Sequence, residues 1–330
     1  MKYWAYVVML LGLGVVTVLV LREGFGDVMG VLARAGWPLL WLVPLHALPM
    51  FCDTLAWRTL LKPNDPHDRA RMPFLFWVSA VRESVGRLLP MTNLAGDLVG
   101  IHLVRQRLAT GPVVASVIGE IFMTICNQYV FSAIGIVLLI TATGTLAQTH
   151  TMVLGLLFSL PVPILFGMLL RYGGVFKRFE NFARAMAGPQ ISALIEGAVL
   201  DHEMRGIFER SSRLIVAMGW QLTGFIVGSL ETWLALTLLG HPISFSAAIA
   251  LEAVAVAIRN LIFFIPGSLG VQEAGLILFG QMVGLDSSTA LSLSLAKRMR
   301  EVLYGAPALL SWQWVEARRL RNTLHDPQSA

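Results

Sequence analysis

Four stretches of this chain run for a membrane's width with no charged residue or a single one: 3–21, 113–147, 151–170 and 214–240. Each is long enough to carry an α-helix across roughly 30 Å of hydrocarbon. In that solvent every backbone amide and carbonyl needs a partner within the protein, so stretches of this kind fold as helices. The rest of the chain agrees. Of 330 residues, 56% are hydrophobic and 14% charged, against about 25% charged in soluble domains, which excludes a soluble globular class. The formal net charge of +5 reads as basic residues flanking spans rather than as a nucleic-acid footprint.

Cys52 and Cys126 both fall in apolar segments, so they imply neither a disulfide framework nor a metal site. The run after Lys2 ends in "VLVLREGFGD", which lacks a small-residue cleavage site, so it reads as a retained first span rather than a signal peptide.

The distribution of basic residues sets the topology. With Lys2 in the cytoplasm, the same side receives Arg58, Lys62, Arg69, Arg71, Arg105, Arg107, the cations between 171 and 213, and Arg318, Arg319 and Arg321, while the opposite side receives only Arg22 and Arg34. Both termini are therefore expected in the cytoplasm. The segment 171–213 is too polar to span. Phe176, Phe179, Phe182 and Met186 recur at helical spacing beside Lys177, Arg178 and Arg184, as do Ile191, Leu194, Ile195, Ala198 and Val199 after them, which predicts two helices at the cytoplasmic surface.

Two stretches break the pattern. Between 72 and 108 the chain leaves the cytoplasm and returns, yet Pro90 divides the stretch, because proline lacks an amide proton and disfavours helix at the residue before it. Residues 243–284 repeat the arrangement around "FIPGSLG". Each reads as a helical hairpin, the first entering from the cytoplasm and the second from outside. "AVRESVGRLLPMTNLAGD" and "AIRNLIFFIPGSLGVQE" align: Arg82 with Arg259, Pro90 with Pro266, Asp97 with Glu273, and small polar residues after each break, Thr92 and Asn93 in one and Ser268 in the other. Interrupted segments at corresponding places of inverted halves point to a transporter's midplane site. Asn93 can cap the second half-helix, whose freed amides and positive dipole end then face something polar or anionic. The expected fold is an all-α polytopic membrane protein, one transmembrane domain over 1–330, with about six full spans and two oppositely oriented proline-broken hairpins. Its first half covers 1–170, its interfacial helices 171–213 and its second half 214–330.

The apolar stretches also hold ionisable residues, which in a membrane face a bundle interior or a wet cavity: Arg82, Arg87, Arg259, Lys297, Arg298 and Arg300, with Glu83, Asp97, Glu120, Glu231, Glu252, Glu273 and Glu301. Mutual neutralisation along one helix accounts for Glu83 with Arg87, Glu252 with Arg259, and Lys297 with Glu301. Arg82 has no opposite charge three or four residues away, and Asp97 none on its apolar side, which favours a functional role for both; Asp97 and Glu273 could equally stabilise a helix dipole. Ser116, Glu120, Thr124 and Asn127 form one stripe that either glues helices or lines a cavity, and Glu120 favours the cavity. Ala217, Gln221, Gly224, Gly228 and Glu231 share a face on which the glycines predict close packing. "AKRMRE", 296–301, either lines the cavity or belongs to an interfacial helix, and the cavity is the preferred reading.

"RESVGRLLPMTNLAGDLVG" and "FFIPGSLGVQEAGLILFGQM" resemble the flippase-like transmembrane domain of lysylphosphatidylglycerol synthases and of stand-alone bacterial relatives, over essentially the whole chain. "VRESVGRLLP" followed by "GDLVG" is most similar to the hopanoid-biosynthesis-associated inner-membrane subgroup. The resemblance implies lipid translocation, with Arg82, Pro90, Asp97, Arg259, Pro266, Gly267, Gly270 and Glu273 at the matching positions. It does not imply synthase activity: members that aminoacylate lipid use a soluble domain after the membrane region, and this chain ends at Ala330, so no enzyme activity is expected.

Three functions fit. The first is a flippase that holds a polar headgroup, of a hopanoid or another lipid, on Arg82, Arg87, Thr92, Asn93, Asp97, Glu120, Asn127, Arg259, Ser268, Glu273, Arg298 and Glu301, with no catalytic residue, metal or cofactor. The second is an enzyme acting on a lipid headgroup, for which no zinc-helix, nucleophile-elbow or nucleotide-loop motif is present. The third is a subunit presenting lipid to a biosynthetic partner.

Overall fold

The structure is a computed structural model that describes residues 30, 33–88, 93–143, 146–172, 174–178, 197–261, 277, 280–281 and 284–325. All the regular elements among them are helices. A 3-10 turn, Trp37–Trp41, leads into α1 (Leu42–Leu61), followed by α2 (Met72–Leu88), α3 (Asn93–Val104), α4 (Thr110–Thr143), α5 (Leu146–Ser159), α6 (Pro161–Tyr172), α7 (Gly197–Glu209), α8 (Ser211–Leu238), α9 (Phe245–Leu261) and α10 (Ser287–His325). Four continuous helical stretches are long and apolar enough to cross a membrane: Trp37–Asn64, Thr110–Thr141, Val153–Tyr172 and Ser211–Leu238. Shorter apolar helices cover Leu94–Val104 and Phe245–Val256. The expected first span at 3–21 lies outside the described residues.

Large apolar side chains cover the outer surface. Phe158 is 89% exposed, and Leu165, Val137, Ile215 and Leu310 also face outward. In water such a surface would aggregate; against lipid tails it costs nothing. The interior is packed by size. α1 lies along α8, α4 along α9, and α2 against both α3 and α10. The glycines of α8 do what their spacing predicts: Gly224 meets Cys52 and Asp53 of α1, and Gly228 meets Pro49. Phe131 of α4 stacks on Phe225 of α8 with ring centroids 5.4 Å apart. Around α2, Trp57, Leu75, Val78, Val81, Val85, Leu103 and Val104 form a continuous buried cluster.

The pair α2 and α3 explains "GDLVG". Gly96 lies against the backbone carbonyl of Arg82, and Gly100 against the Arg82 side chain; a Cβ at either place would collide with them. The two glycines, four apart, cut a groove along α3 into which α2 settles. Residues 89–92, with the proline break expected at Pro90, lie outside the described residues.

Of the segment expected to form two helices at the cytoplasmic surface, only part is described. Residues 179–196, which carry Phe179, Phe182, Met186, Ile191, Leu194 and Ile195, lie outside the described residues. In α7 the buried side is Gly197, Leu200, Asp201 and Met204, whereas Ala198 and Val199 are exposed. The expected apolar face is therefore rotated, because Asp201 accepts hydrogen bonds from the backbone amides of Phe176 and Lys177 and turns its side of the helix inward. Next to this layer, Asp68 accepts hydrogen bonds from Arg58 and Lys62, each at 3.0 Å, and these hold its carboxyl below the usual carboxylate range.

Candidate functional site

A cavity of about 500 Å³ lies between α1, α2, α3, α4, α8, α9 and α10. Its wall includes seven carboxylates (Asp53, Glu83, Asp97, Glu120, Glu231, Glu252 and Glu301), four fixed cations (Arg82, Arg87, Lys297 and Arg300) and His46. Charges taken out of water at this depth survive by pairing, and the pairs fall into two groups.

The first group is centred on Arg82. Its guanidinium donates to Asp97 of α3 at 2.6 Å and to Glu120 of α4 at 2.8 Å. The face of Trp57 lies 4.5 Å from its central carbon, and the Trp57 indole is fixed in turn by donating to Ser116 at 3.0 Å. Arg82 has no partner along its own helix because its partners are supplied by two others. One planar fork thus serves two carboxylates.

The second group is a chain of alternating charge. Glu301 accepts from Arg87 at 3.1 Å, Arg87 donates to Glu83 at 3.1 Å, and Glu83 faces Nε2 of His46 at 3.0 Å. Nδ1 of His46 faces both Glu231 at 2.8 Å and the Arg300 guanidinium at 2.6 Å, while Arg300 Nε lies 3.3 Å from Glu231. A proton on Nδ1 donates to Glu231, and a bare Nδ1 accepts from Arg300. One ring nitrogen cannot do both, so the place of a single proton decides which partner His46 holds. Beside this chain Lys297 donates to Glu252, which also accepts from Thr232 at 2.7 Å.

The i,i+4 pairing of Glu83 with Arg87 is present. The pairing expected between Lys297 and Glu301 along α10 is replaced: Lys297 bonds Glu252 on α9, and Glu301 takes Arg87 and Arg298; the Arg259 side chain, expected beside Glu252, lies outside the described residues. Neighbouring helices bring opposite charges closer than the next turn does. Arg298 bonds Glu301 at 3.1 Å and does not line the cavity; Lys297, Arg300 and Glu301 do, which favours the cavity reading of "AKRMRE". The polar stripe of α4 divides. Glu120, Thr124 and Gln128 reach the cavity, whereas Asn127 is 2% exposed and donates to Gln221 at 2.9 Å and to the Met218 carbonyl at 3.1 Å. Asn127 is therefore helix-to-helix glue rather than a headgroup contact.

Pro90, Thr92, Pro266, Gly267, Ser268, Gly270 and Glu273 lie outside the described residues, as do the side chains of Asn93 and Arg259. His46 and Asp53 are the cavity residues that sequence reasoning missed. They stand seven apart on α1, two turns on one face, and that spacing of two ionisable residues inside an apolar helix is the signal that could have found them. Among the described residues, no group of three or more His, Cys, Asp or Glu side chains is arranged to hold a metal ion.

No curated protein and no solved structure matches the chain. The family described as the lysylphosphatidylglycerol synthase TM region matches it over residues 6–307, a stretch that takes in all the cavity-lining side chains. With an all-helical bundle, apolar outer faces and the two sequence motifs inside that match, the chain belongs to the family of lysylphosphatidylglycerol synthase transmembrane regions.

Proposed function

We propose that the protein moves a polar-headed membrane lipid from one leaflet to the other, without altering it covalently. The observation that carries this reading is the cavity: about 500 Å³ walled by paired charges, inside a bundle whose outer surface is apolar. A headgroup fits the polar interior by exchanging hydrogen bonds with those side chains, while the hydrocarbon tail stays in lipid beside the exposed leucines and valines. The family supports a role with membrane lipid, and the hopanoid-associated motifs nominate a hopanoid as one lipid to try.

In this reading α2 with α3, and residues 243–284, are the two opposed hairpins of an inverted repeat within about six spans. The halves rock so that the cavity opens first to one face and then to the other. Headgroup contacts are made by Arg82, Asp97 and Glu120 on one side and by Arg87, Arg300 and Glu301 on the other. Both termini lie in the cytoplasm, as the basic residues predict, and the membrane is the bacterial inner membrane, as the resemblance to the hopanoid-associated subgroup implies.

Purified protein in vesicles of phosphatidylethanolamine and phosphatidylglycerol, with a fluorescent lipid whose outer-leaflet copies are chemically quenched, tests the proposal. Full quenching in the presence of protein, against about half in its absence, is the expected result. Arg82→Lys keeps the charge and loses the fork that bridges Asp97 and Glu120, so it slows the movement. Quenching that never passes the protein-free level overturns the proposal, and a new covalent lipid species by mass spectrometry replaces it with an enzyme.

A further inference from the structure

The ion pairs of the cavity leave one carboxylate over. Glu83, Asp97, Glu120, Glu231, Glu252 and Glu301 each face a cationic partner. Asp53 also lines the cavity, and among the described residues it alone of these acids has neither a hydrogen bond nor an ion pair. It sits in the middle of α1 with its Oδ1 against Gly224 of α8, so close that a Cβ at 224 would come within 2.9 Å of it. The charges that face Asp53 are His46 on its own helix, Arg82 and Glu83 on α2, and Glu120 on α4. Arg82 is already held by Asp97 and Glu120. The facing stretch of α8 offers Gln221, which is occupied by Asn127 and Thr124.

An ionised carboxylate without a partner is expensive in such a place, and two like charges nearby add to the cost. A metal cation is one way to relieve it, but no side-chain group among the described residues is built to complete a metal's coordination. A proton needs no such shell. We propose that Asp53 is a proton-binding site through which lipid movement is coupled to a transmembrane proton gradient. The coupling rests on the transport reading above. In each cycle one proton passes from water on one side to an Asp53 oxygen, and from there to water on the other side, with no other bond made or broken. Loading the proton removes the repulsion of Asp53 by Glu83 and Glu120. The neutral form therefore favours an arrangement in which α1 closes on α2 and α4, and the ionised form one in which they separate. That difference between two states is what coupling requires.

Two measurements test this. In infrared difference spectra of the full-length protein in lipid nanodiscs, acidification produces a protonated-carboxyl stretching band, part of which is lost in Asp53→Asn. In the phosphatidylethanolamine and phosphatidylglycerol vesicles, an imposed pH gradient changes the rate at which fluorescent phosphatidylethanolamine moves by several-fold, a sodium gradient does not, and Asp53→Asn loses the response to pH. Because the amide is neutral and nearly the same shape, Asp53→Asn melts no lower than the native protein. An Asp53→Asn protein that responds to the gradient like the native one overturns the proposal, as does an infrared band that Asp53→Asn leaves intact. So does a variant that melts markedly lower, since Asp53 would then have a structural partner. Native protein that moves lipid at one rate with and without the gradient overturns the coupling and leaves the transport reading standing. If the native protein moves no lipid, transport and coupling fall together, and the infrared band alone decides whether Asp53 binds a proton.

Discussion

The Arg82 group and the His46 group both neutralise buried charge, yet they are built to opposite plans. Arg82 is one cation between two acids, and its partners lie 15 and 38 residues away in sequence, so the group ties α2 and α3 to the next long helix. The His46 group is a relay in which each charge has at least two neighbours, and its longest link, His46 to Arg300, spans 254 residues, joining the first described long helix to the last. A hub fails when its centre is removed; a relay can lose one member and keep the rest paired. The first arrangement suits a fixed anchor, the second a contact between helices distant in sequence that can be remade.

Removing the hub should have the largest effect. Arg82→Met strands Asp97 and Glu120 together and is expected to cost about 3–5 kcal/mol, read as a loss of folded protein in thermal melts in detergent. The triple variant Arg82→Met, Asp97→Asn, Glu120→Gln should recover most of that stability without recovering lipid movement. A single variant as stable as the native protein would mean the hub is not an anchor.

The relay should be more forgiving. Arg300→Met leaves His46 bonded to Glu83 and Glu231, and an expected loss of about 1–3 kcal/mol matches the removal of one hydrogen-bonded charge. A double-mutant cycle with Glu231→Gln should show coupling between the two, since Arg300 and Glu231 lie 3.3 Å apart and offset each other's charge. A loss as large as that of Arg82→Met would erase the distinction between hub and relay.

The groove that seats the hub can be tested by shape alone. Gly96→Ala forces α3 away from the Arg82 carbonyl and is expected to cost about 1–3 kcal/mol by overpacking, while Gly155→Ala, where nothing lies within 4 Å, should be neutral or slightly stabilising.

The smallest effect lies outside both groups, at the start of α10. There the Asp286 carboxylate accepts from the Thr289 amide at 3.1 Å and from the Ser288 and Thr289 hydroxyls. Burial works to raise its pKa, but these hydrogen bonds prevail and lower it to about 2. Asp286→Ala should cost about 1 kcal/mol, the usual worth of such a cap. Since the folded value lies below the unfolded one of about 3.9, the cap is at full strength above the unfolded value and is lost as pH falls through about 2. Melts at neutral and acid pH check both statements.

Sequence reasoning reached the site through its chemistry and missed its wiring. Arg82, Arg87, Asp97, Glu120 and Glu301 were legible as ionisable residues in apolar stretches, and all five line the cavity. Glu83 with Arg87 was legible because both partners lie on one helix. Lys297 with Glu252, and Arg82 with Asp97 and Glu120, were not, because an interval along one helix says nothing about which other helix stands opposite. Asn127 misled for the same reason: a polar residue on a stripe faces either a cavity or a neighbour, and only the position of Gln221 decides which. His46 and Asp53 were passed over because they sit in a helix otherwise full of leucine and alanine.

What the amino-acid order determined by itself is the class of protein: helices, because apolar stretches of that length leave the backbone no partner in lipid but itself. That is a local consequence of hydropathy and covalent geometry. Which charges meet was decided only by the tertiary packing. A buried charge is satisfied only by a hydrogen-bonded partner about 3 Å away, and distances that short between residues 46, 231 and 300 exist only once the helices have assembled.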